Sequence, residues 1–296
     1  MRSIISTVLL TILILFKMEA QAQNFKTIET SKFKFQVYNA SENSFGVASV
    51  IISGMHDAVL IDTQFTLADA EKVAQEIINS GKKLTTIYVS HGDPDFYFGL
   101  EVFKKYFPEV TAYASPSTVE HIKATAQKKL EIWGERLGDK ITSNVVLPQV
   151  LKGNSIDLEG EKLEIIGLDN FPKRTFVWIP SIRTALGGIN VFGTTFNAWM
   201  ADAQTTEVRN NWISILNTIS ELKPEIVIPA HANTSSDFVI DAVNHTKNYI
   251  QFYEEALKSN KTSEALIATI KAKYPNLTFE TALILGAKVN TGEMKW

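Results

Sequence analysis

The sequence predicts a layered α/β protein, and two observations support that prediction. Residues 25–61 show a β-like pattern, in which Phe33, Phe35 and Val37 alternate with polar residues. Beyond them, short apolar runs typical of buried strands alternate with stretches of helical periodicity. At 45% hydrophobic and 21% charged residues, the 296-residue chain has enough apolar material for a sizeable core.

Charge and cysteine content narrow the classes of function. The net charge of -3 provides no basic surface for nucleic acid, so we expect a small-molecule partner. The chain contains no cysteine, which excludes disulfides, thiolate metal ligands and a cysteine nucleophile. The sequence does not indicate an oligomeric state.

The first 22 residues read as a secretory signal peptide. Arg2 precedes an apolar run over residues 4–16, which is too short to span a bilayer, and residues 20–22 form a small-x-small cleavage site. We expect a mature domain over residues 23–296, periplasmic or secreted, with no membrane association after cleavage. The alternative is an uncleaved N-terminal anchor.

The first half of the chain is predicted to be strand-rich. Further strands are expected at residues 47–52, 58–61, 85–89 and 111–114. The strand at 58–61 ends in Asp62, which either forms a turn or braces a nearby site by hydrogen bonding.

Helices are predicted where apolar residues recur at helical spacing. The clearest runs from Thr66 to residue 80 and ends at Gly81, and a long helix begins at Pro116. In the second half we expect strands at 163–166, 176–179 and 225–229, and helices at 208–222, 238–257 and 263–273. Residues 138–154 are expected to form a crossing loop, and the tail from 277 to be mixed.

A group of polar side chains follows the strand at 85–89. His91, Asp93 and Asp95 stand at alternate positions, so in an extended loop they point the same way and can converge on one cation. Imidazole and carboxylate suit zinc, iron or manganese. The alternative is a polar turn, with the aspartates capping the helix that begins near residue 98.

A second histidine ends a buried strand in the other half of the chain. His231 follows the strand at 225–229, and two histidines at strand ends can share one rim of a sheet. The alternative is a core histidine with satisfied hydrogen bonds. His56, His121 and His245 are expected to be surface or packing residues.

The order of these motifs resembles that of the metallo-β-lactamase-fold hydrolases. The early strand ending in Asp62, the segment 89–99 and the turn at His231 follow one another as that family's motifs do. The resemblance covers essentially the whole mature chain. It implies a four-layer αββα sandwich of two mixed β-sheets flanked by helices.

The chain departs from the family's HxHxDH pattern at several positions. Asp93 stands in place of the second histidine and Phe96 in place of the last. Asp169 falls near the family's isolated histidine, and Gly188 or Ile189 occupies the place of its bridging aspartate.

The resemblance implies a motif for two metals, but without the bridging aspartate two metals would not be held together. The donors that remain predict one divalent metal ion, with zinc as the first choice and manganese or iron as alternatives. Its ligands are expected among His91, Asp93, Asp95, Asp169 and His231. Asp95, if it is not a ligand, is the predicted catalytic residue, because it would orient or deprotonate a metal-bound water.

Aromatic residues near these motifs predict an apolar substrate pocket. The residues assigned to it are Phe96, Tyr97, Phe192 and Trp199, although each also suits ordinary core packing. We therefore expect a metal-dependent hydrolase acting on a small, partly apolar ester, lactone or amide. The alternative is a non-catalytic ligand-binding protein that kept the fold and lost a working metal site.

Overall fold

Two β-sheets packed face to face form the centre of the protein, whose residues 25–296 are described by a computed structural model. The predicted signal peptide lies outside the described residues, so the signal peptide and export stay predictions. None of the helices between residues 25 and 296 is long and apolar enough to cross a membrane.

The first sheet has its strands in chain order, from β1 at one edge to β7 at the other. Pairing is antiparallel from β1 to β4 and parallel from β4 to β7, so the sheet is mixed. Its strands are β1 Phe25–Glu29, β2 Lys34–Asn39, β3 Ala48–Ser53, β4 Asp57–Ile61, β5 Lys83–Val89, β6 Thr111–Ala114 and β7 Gln149–Val150.

The second sheet is ordered β12-β11-β10-β9-β8 and is also mixed, because only β11 and β12 run parallel. Its strands are β8 Ser155–Leu158, β9 Glu161–Ile166, β10 Phe176–Ile179, β11 Thr184–Leu186 and β12 Ile226–Val227.

Helices flank the two sheets. In chain order they are α1 Leu67–Ser80, α2 Pro94–Tyr97, α3 Leu100–Tyr106, α4 Pro116–Leu137, α5 Thr206–Glu221, α6 Asp241–Ser259, α7 Ser263–Lys273 and α8 Glu280–Asn290. Thr66 caps α1 by accepting the Asp69 N–H, and Gly81 ends it in a left-handed conformation, as the sequence predicts.

The period-2 alternation of the strands divides the core into two layers. Phe35 and Val59 of the first sheet pack with Leu163 and Val177 of the second, whereas Leu60 belongs to the larger core that also contains helix residues. Both faces of the first sheet are therefore buried. This arrangement confirms the predicted αββα sandwich.

Several elements differ from the predictions, which include no strand at β8 or β11 and no separate helix α2. Strand β7 lies within the expected loop at 138–154, and the tail contains the regular helix α8. The predicted strand at 225–229 is reduced to β12, because Pro229 has no N–H to continue the ladder.

The ends of β4, β5 and β11 meet at one rim of the sandwich. Asp62, directly after β4, donates its backbone N–H to Tyr88 O at 2.9 Å, and Ser90, directly after β5, binds both Asp62 and Gly188. His231 joins this rim through bridges to Val47 and Phe192. The predicted motifs of both halves therefore gather at the same edge.

Candidate functional site

Asp62 braces the loop that carries the polar motif. Its carboxyl group accepts the Ser90 N–H at 2.7 Å and the Ser90 hydroxyl at 2.5 Å, and Ser90 Oγ accepts the Gly188 N–H at 2.7 Å. Burial raises the pKa of Asp62 to about 7, although the hydrogen bonds from Ser90 oppose that shift. The structure shows the bracing role, and Asp62 also has the left-handed backbone conformation, with φ 62°, that suits a turn.

His91 and Asp93 form an outer pair on this loop. His91 Nε2 lies 3.2 Å from Asp93 Oδ2, and both side chains are partly exposed. Asp93 precedes the short helix α2, but its side chain makes no capping hydrogen bond. The capping alternative is therefore wrong for Asp93.

Lys129 of α4 completes the outer layer. Its ammonium donates to Asp93 Oδ1 at 2.6 Å and to Gly92 O at 3.0 Å, and it lies 3.0 Å from His121 Nε2. Burial alone would raise the pKa of Asp93, but the charges of His91 and Lys129 outweigh it and hold that pKa well below its usual range. Asp93 is therefore an ionised carboxylate with a permanent cationic partner.

Asp95 and His231 form a separate inner pair, and both are buried. Asp95 Oδ2 lies 3.7 Å from His231 Nε2, while His231 Nδ1 lies 3.0 Å from Phe45 O. Because a carbonyl only accepts, Nδ1 carries the proton and Nε2 carries the lone pair. Within residues 25–296, that buried Nε2 has no hydrogen-bond partner.

Burial moves both members of the inner pair toward their uncharged forms. It lowers the pKa of His231 to about 4, against the hydrogen bond to Phe45 O and the charge of Asp93. Burial and the neighbouring Asp93 charge raise the pKa of Asp95 well above its ordinary value. A neutral imidazole therefore faces a carboxyl group that holds its proton more tightly than usual.

The fully buried ring of Phe96 packs edge-on against both histidines. Its centroid lies 5.2 Å from that of His91 and 5.6 Å from that of His231. A phenyl ring has no atom that can bind a metal. Phe96, which contacts both imidazoles, therefore cannot be a ligand of a metal held by His91 and His231.

The other residues assigned to a substrate pocket differ in exposure. Tyr97 and Phe192 are fully buried, and Phe192 stacks on His231 at 5.0 Å. Trp199 is partly exposed, and its ring centroid lies 5.8 Å from that of Phe45. Phe45 is also partly exposed, and its ring centroid lies 5.4 Å from that of Trp133. The pocket assignment stays a prediction, and only Trp199 among the four offers open surface.

Asp169 is not brought to the other predicted ligands by any described contact. It lies in an exposed turn between β9 and β10, and no hydrogen bond or ion pair joins it to His91, Asp93, Asp95 or His231 in the part of the chain described. Its role as a ligand stays a prediction without a supporting contact.

The donor atoms do not fit the single metal ion predicted from the sequence. A catalytic zinc takes three protein ligands around one point. Among residues 25–296, no group of three or more His, Cys, Asp or Glu side chains is placed to hold a metal ion. The donors are instead divided into the outer and inner pairs, and the Asp93 charge is already compensated by Lys129. The one-metal site expected from the sequence is not assembled in this structure.

Sequence reasoning missed the roles of Lys129, His121 and Arg174. His121 is exposed, as expected, but its ring contacts Lys129, which stands two turns further along the same face of α4. The spacing of eight residues could have indicated that His121 and Lys129 lie on the same face of α4. Nothing in the sequence indicates that this face packs against the loop with Asp93. Arg174 lies over the Trp212 ring at 3.9 Å, and burial lowers its pKa to about 10 against the charges of Asp202 and Asp93.

Comparison with known proteins supports the fold and no more. No protein family and no curated protein matches the sequence. A metallo-β-lactamase from Pontibacter korlensis matches with a TM-score of 0.53 and 18% sequence identity, covering 77% of this chain and 99% of that chain. The DIM-1 metallo-β-lactamase gives a TM-score of 0.55 at 19% identity, and VMB-1 gives 0.56 at 15%, each covering 77% of this chain and 97% of the other.

Matches at 15% to 19% identity compare architecture rather than chemistry. They agree with the two mixed sheets and the flanking helices. On this evidence the chain has the metallo-β-lactamase fold, in a divergent form.

Proposed function

We propose that this chain binds a small, partly apolar molecule at the rim of the sandwich and does not hydrolyse it through a bound metal. The observation that carries the proposal is the Lys129–Asp93 ion pair at 2.6 Å, which places a fixed cation on the carboxylate expected to bind metal. The division of the remaining donors into two pairs supports it.

The neighbouring surface supports the class of ligand. Phe45 contacts both Trp133 and Trp199, and all three rings are partly exposed. Rings with open faces bind the apolar body of a ligand, and a few polar groups fix its orientation. His91, partly exposed in the outer pair, offers such a polar group.

A second candidate is metal-dependent hydrolysis of an ester, lactone or amide. It is favoured by His231, whose Nδ1 is fixed by Phe45 O so that the Nε2 lone pair faces Asp95. A histidine that binds metal is commonly oriented in this way by a hydrogen bond at its other nitrogen.

One set of measurements separates the two functions. The purified chain is incubated with zinc, manganese or iron, its metal content is measured, and aryl esters, γ-lactones and β-lactams are assayed for turnover and for a rise in Tm. We expect no stoichiometric metal and no metal-dependent turnover, together with a rise in Tm from an aromatic probe of the panel. Trp199→Ala should remove that rise.

Met55→Ala serves as the control, because Met55 is exposed in the turn between β3 and β4, at the opposite end of β4 from Asp62. It should behave as the wild type in every assay. Metal-dependent turnover that disappears in His231→Ala would establish the hydrolase instead of the binding protein. No rise in Tm and no turnover with any compound of the panel would count against both.

A further inference from the structure

The Lys129 ammonium has all three of its N–H donors directed at acceptors. Asp93 Oδ1 lies at 2.6 Å, Gly92 O at 3.0 Å and His121 Nε2 at 3.0 Å. An ammonium has three donors and no acceptor, so Lys129 has no free donor for a ligand. Its role therefore has to be sought within the protein.

The atoms around this ammonium are of the kinds that bind divalent metals. Asp93 supplies a carboxylate, His121 an imidazole nitrogen and Gly92 a carbonyl oxygen. The other Asp93 oxygen lies 3.2 Å from His91 Nε2, which adds a second imidazole to the same cluster. Two imidazoles and a carboxylate suit zinc, iron or manganese.

The fold holds Lys129 firmly in this place. Only 19% of its side chain is exposed, and the residue shares one face of α4 with His121. A metal ion entering the cluster would have to displace a hydrogen-bonded ammonium or lie beside its positive charge, and both are unfavourable.

We infer that Lys129 is the resident cation of this cluster and that it keeps a divalent metal out. The inference rests on the proposed absence of a catalytic metal, and it adds the metal site that removal of Lys129 would open. That site consists of Asp93, His121 and His91. Among the described residues no three donors are yet placed to hold a metal, so the site forms only by rearrangement. With zinc at the position of Lys129 Nζ, ligand distances of about 2.0–2.2 Å would require Asp93 Oδ1 and His121 Nε2 to move inward by about 1 Å or less. His91 Nε2 would have to turn from Asp93 Oδ2 toward the metal.

The test is Lys129→Met, which keeps an apolar stem and removes the charge. Zinc binding is measured by equilibrium dialysis with elemental analysis, and by Tm with and without zinc and EDTA. We expect the wild type to show no zinc-dependent rise in Tm at this cluster. The variant should bind one zinc per chain, tighter than the wild type by about tenfold or more, in a way that EDTA reverses.

Two further variants locate the bound metal. Lys129→Met combined with His121→Ala should lose the gained zinc. Lys128→Met is the matched control, since Lys128 is an exposed neighbour on α4 with no hydrogen bond or ion pair in the described part of the chain. It should bind no more zinc than the wild type. Lys129→Gln, which stays polar, replaces the methionine variant if circular dichroism shows that the latter is unfolded.

The outcomes distinguish this inference from the proposed function. A folded Lys129 variant that gains no His121-dependent zinc overturns the inference and leaves the proposed function standing. Wild-type zinc uptake that depends on His121 also overturns the inference. Wild-type uptake that depends on His231, with the His121-dependent gain still present in the Lys129 variant, overturns the proposed function alone.

Discussion

At the scale of single residues, the inner and outer pairs use the same residue types in opposite ways. Asp93 is partly exposed beside Lys129 and is held ionised, whereas Asp95 is buried beside a neutral imidazole and retains its proton more strongly. Asp93 and Asp95 stand two positions apart in the sequence, yet Asp93 is charged and Asp95 is shifted toward its neutral form. The difference comes from partners and burial, not from sequence position.

The inner pair, Asp95 and His231, predicts that the free energy of unfolding depends on pH. Substituting each residue in turn separates their two contributions. Because the pKa of His231 is lowered from 6.5 to about 4, the unfolded chain takes up a proton first as pH falls. This lowers the free energy of unfolding between pH 6.5 and pH 4 by up to about 3 kcal/mol. Asp95 acts in the opposite direction, because its raised pKa makes the folded state hold a proton that the unfolded state releases.

In Asp95→Asn the His231 effect should therefore stand alone. Urea denaturation from pH 7 to pH 4 should show a steeper loss of stability in this variant than in the wild type. His231→Asn should show a shallower loss, and the double variant provides the baseline for all other groups, Asp62 included. Parallel pH profiles for wild type and Asp95→Asn would contradict the prediction.

At the scale of elements, the short helices α2 and α3 are fixed on the segment that follows β4. Thr63 donates its N–H to Phe96 O at 2.9 Å, and Gly99 donates its N–H to Gln64 O at 2.9 Å. A Cβ atom on Gly99 would lie 1.8 Å from Thr63 O, so only glycine permits this approach. These contacts position Phe96 and Asp95 within the core.

Two glycine substitutions test this contact. Gly99→Ala should lower the free energy of unfolding by about 2 kcal/mol or more, because the backbone of residue 63 must move. Gly134→Ala, within α4, is the control, since its Cβ would meet nothing within 4 Å. It should raise stability by about 0.5–1 kcal/mol through helix propensity. Equal effects of the two changes in urea denaturation would argue against the close approach.

At the scale of the whole molecule, the site is assembled where the two sheets meet. Ser90 follows β5 of the first sheet, and its hydroxyl joins Asp62 of that sheet to Gly188, which follows β11 of the second. His231 lies in the segment that follows β12, and its Nε2 is 3.7 Å from Asp95 Oδ2 at the same rim. The relative position of the two pairs thus depends on how the sheets pack.

Removing the Ser90 hydroxyl should weaken this junction. Ser90→Ala leaves the Gly188 N–H without its acceptor and removes one hydrogen bond from the buried Asp62, so we expect a loss of about 1–3 kcal/mol. Ser53→Ala is the control, because within residues 25–296 the equally buried Ser53 hydroxyl has no hydrogen-bond partner. It should not lower stability in urea denaturation, because the change removes a buried hydroxyl that makes no hydrogen bond. A Ser90 variant as stable as the Ser53 variant would contradict the role assigned to Ser90.

The sequence by itself determined most of the helices and strands, the fold class and the placing of His91 and His231 after strands of the two sheets. These follow from periodicity, capping residues and motif order, which are local or nearly local properties of the chain. The sequence also indicated that Phe96 replaces the last histidine of the HxHxDH pattern. A phenyl side chain cannot bind a metal in any surroundings.

Only the tertiary structure decided which donors come together. Lys129 stands 36 residues beyond Asp93, and the Phe45 carbonyl that orients His231 is 186 residues away from it. Such contacts depend on which face of a helix docks on a loop and on how two sheets meet, and neither is encoded in a local pattern. For this reason the spacing of His91, Asp93 and Asp95 predicted one metal site, whereas packing divided the same residues between a cationic lysine and a buried histidine.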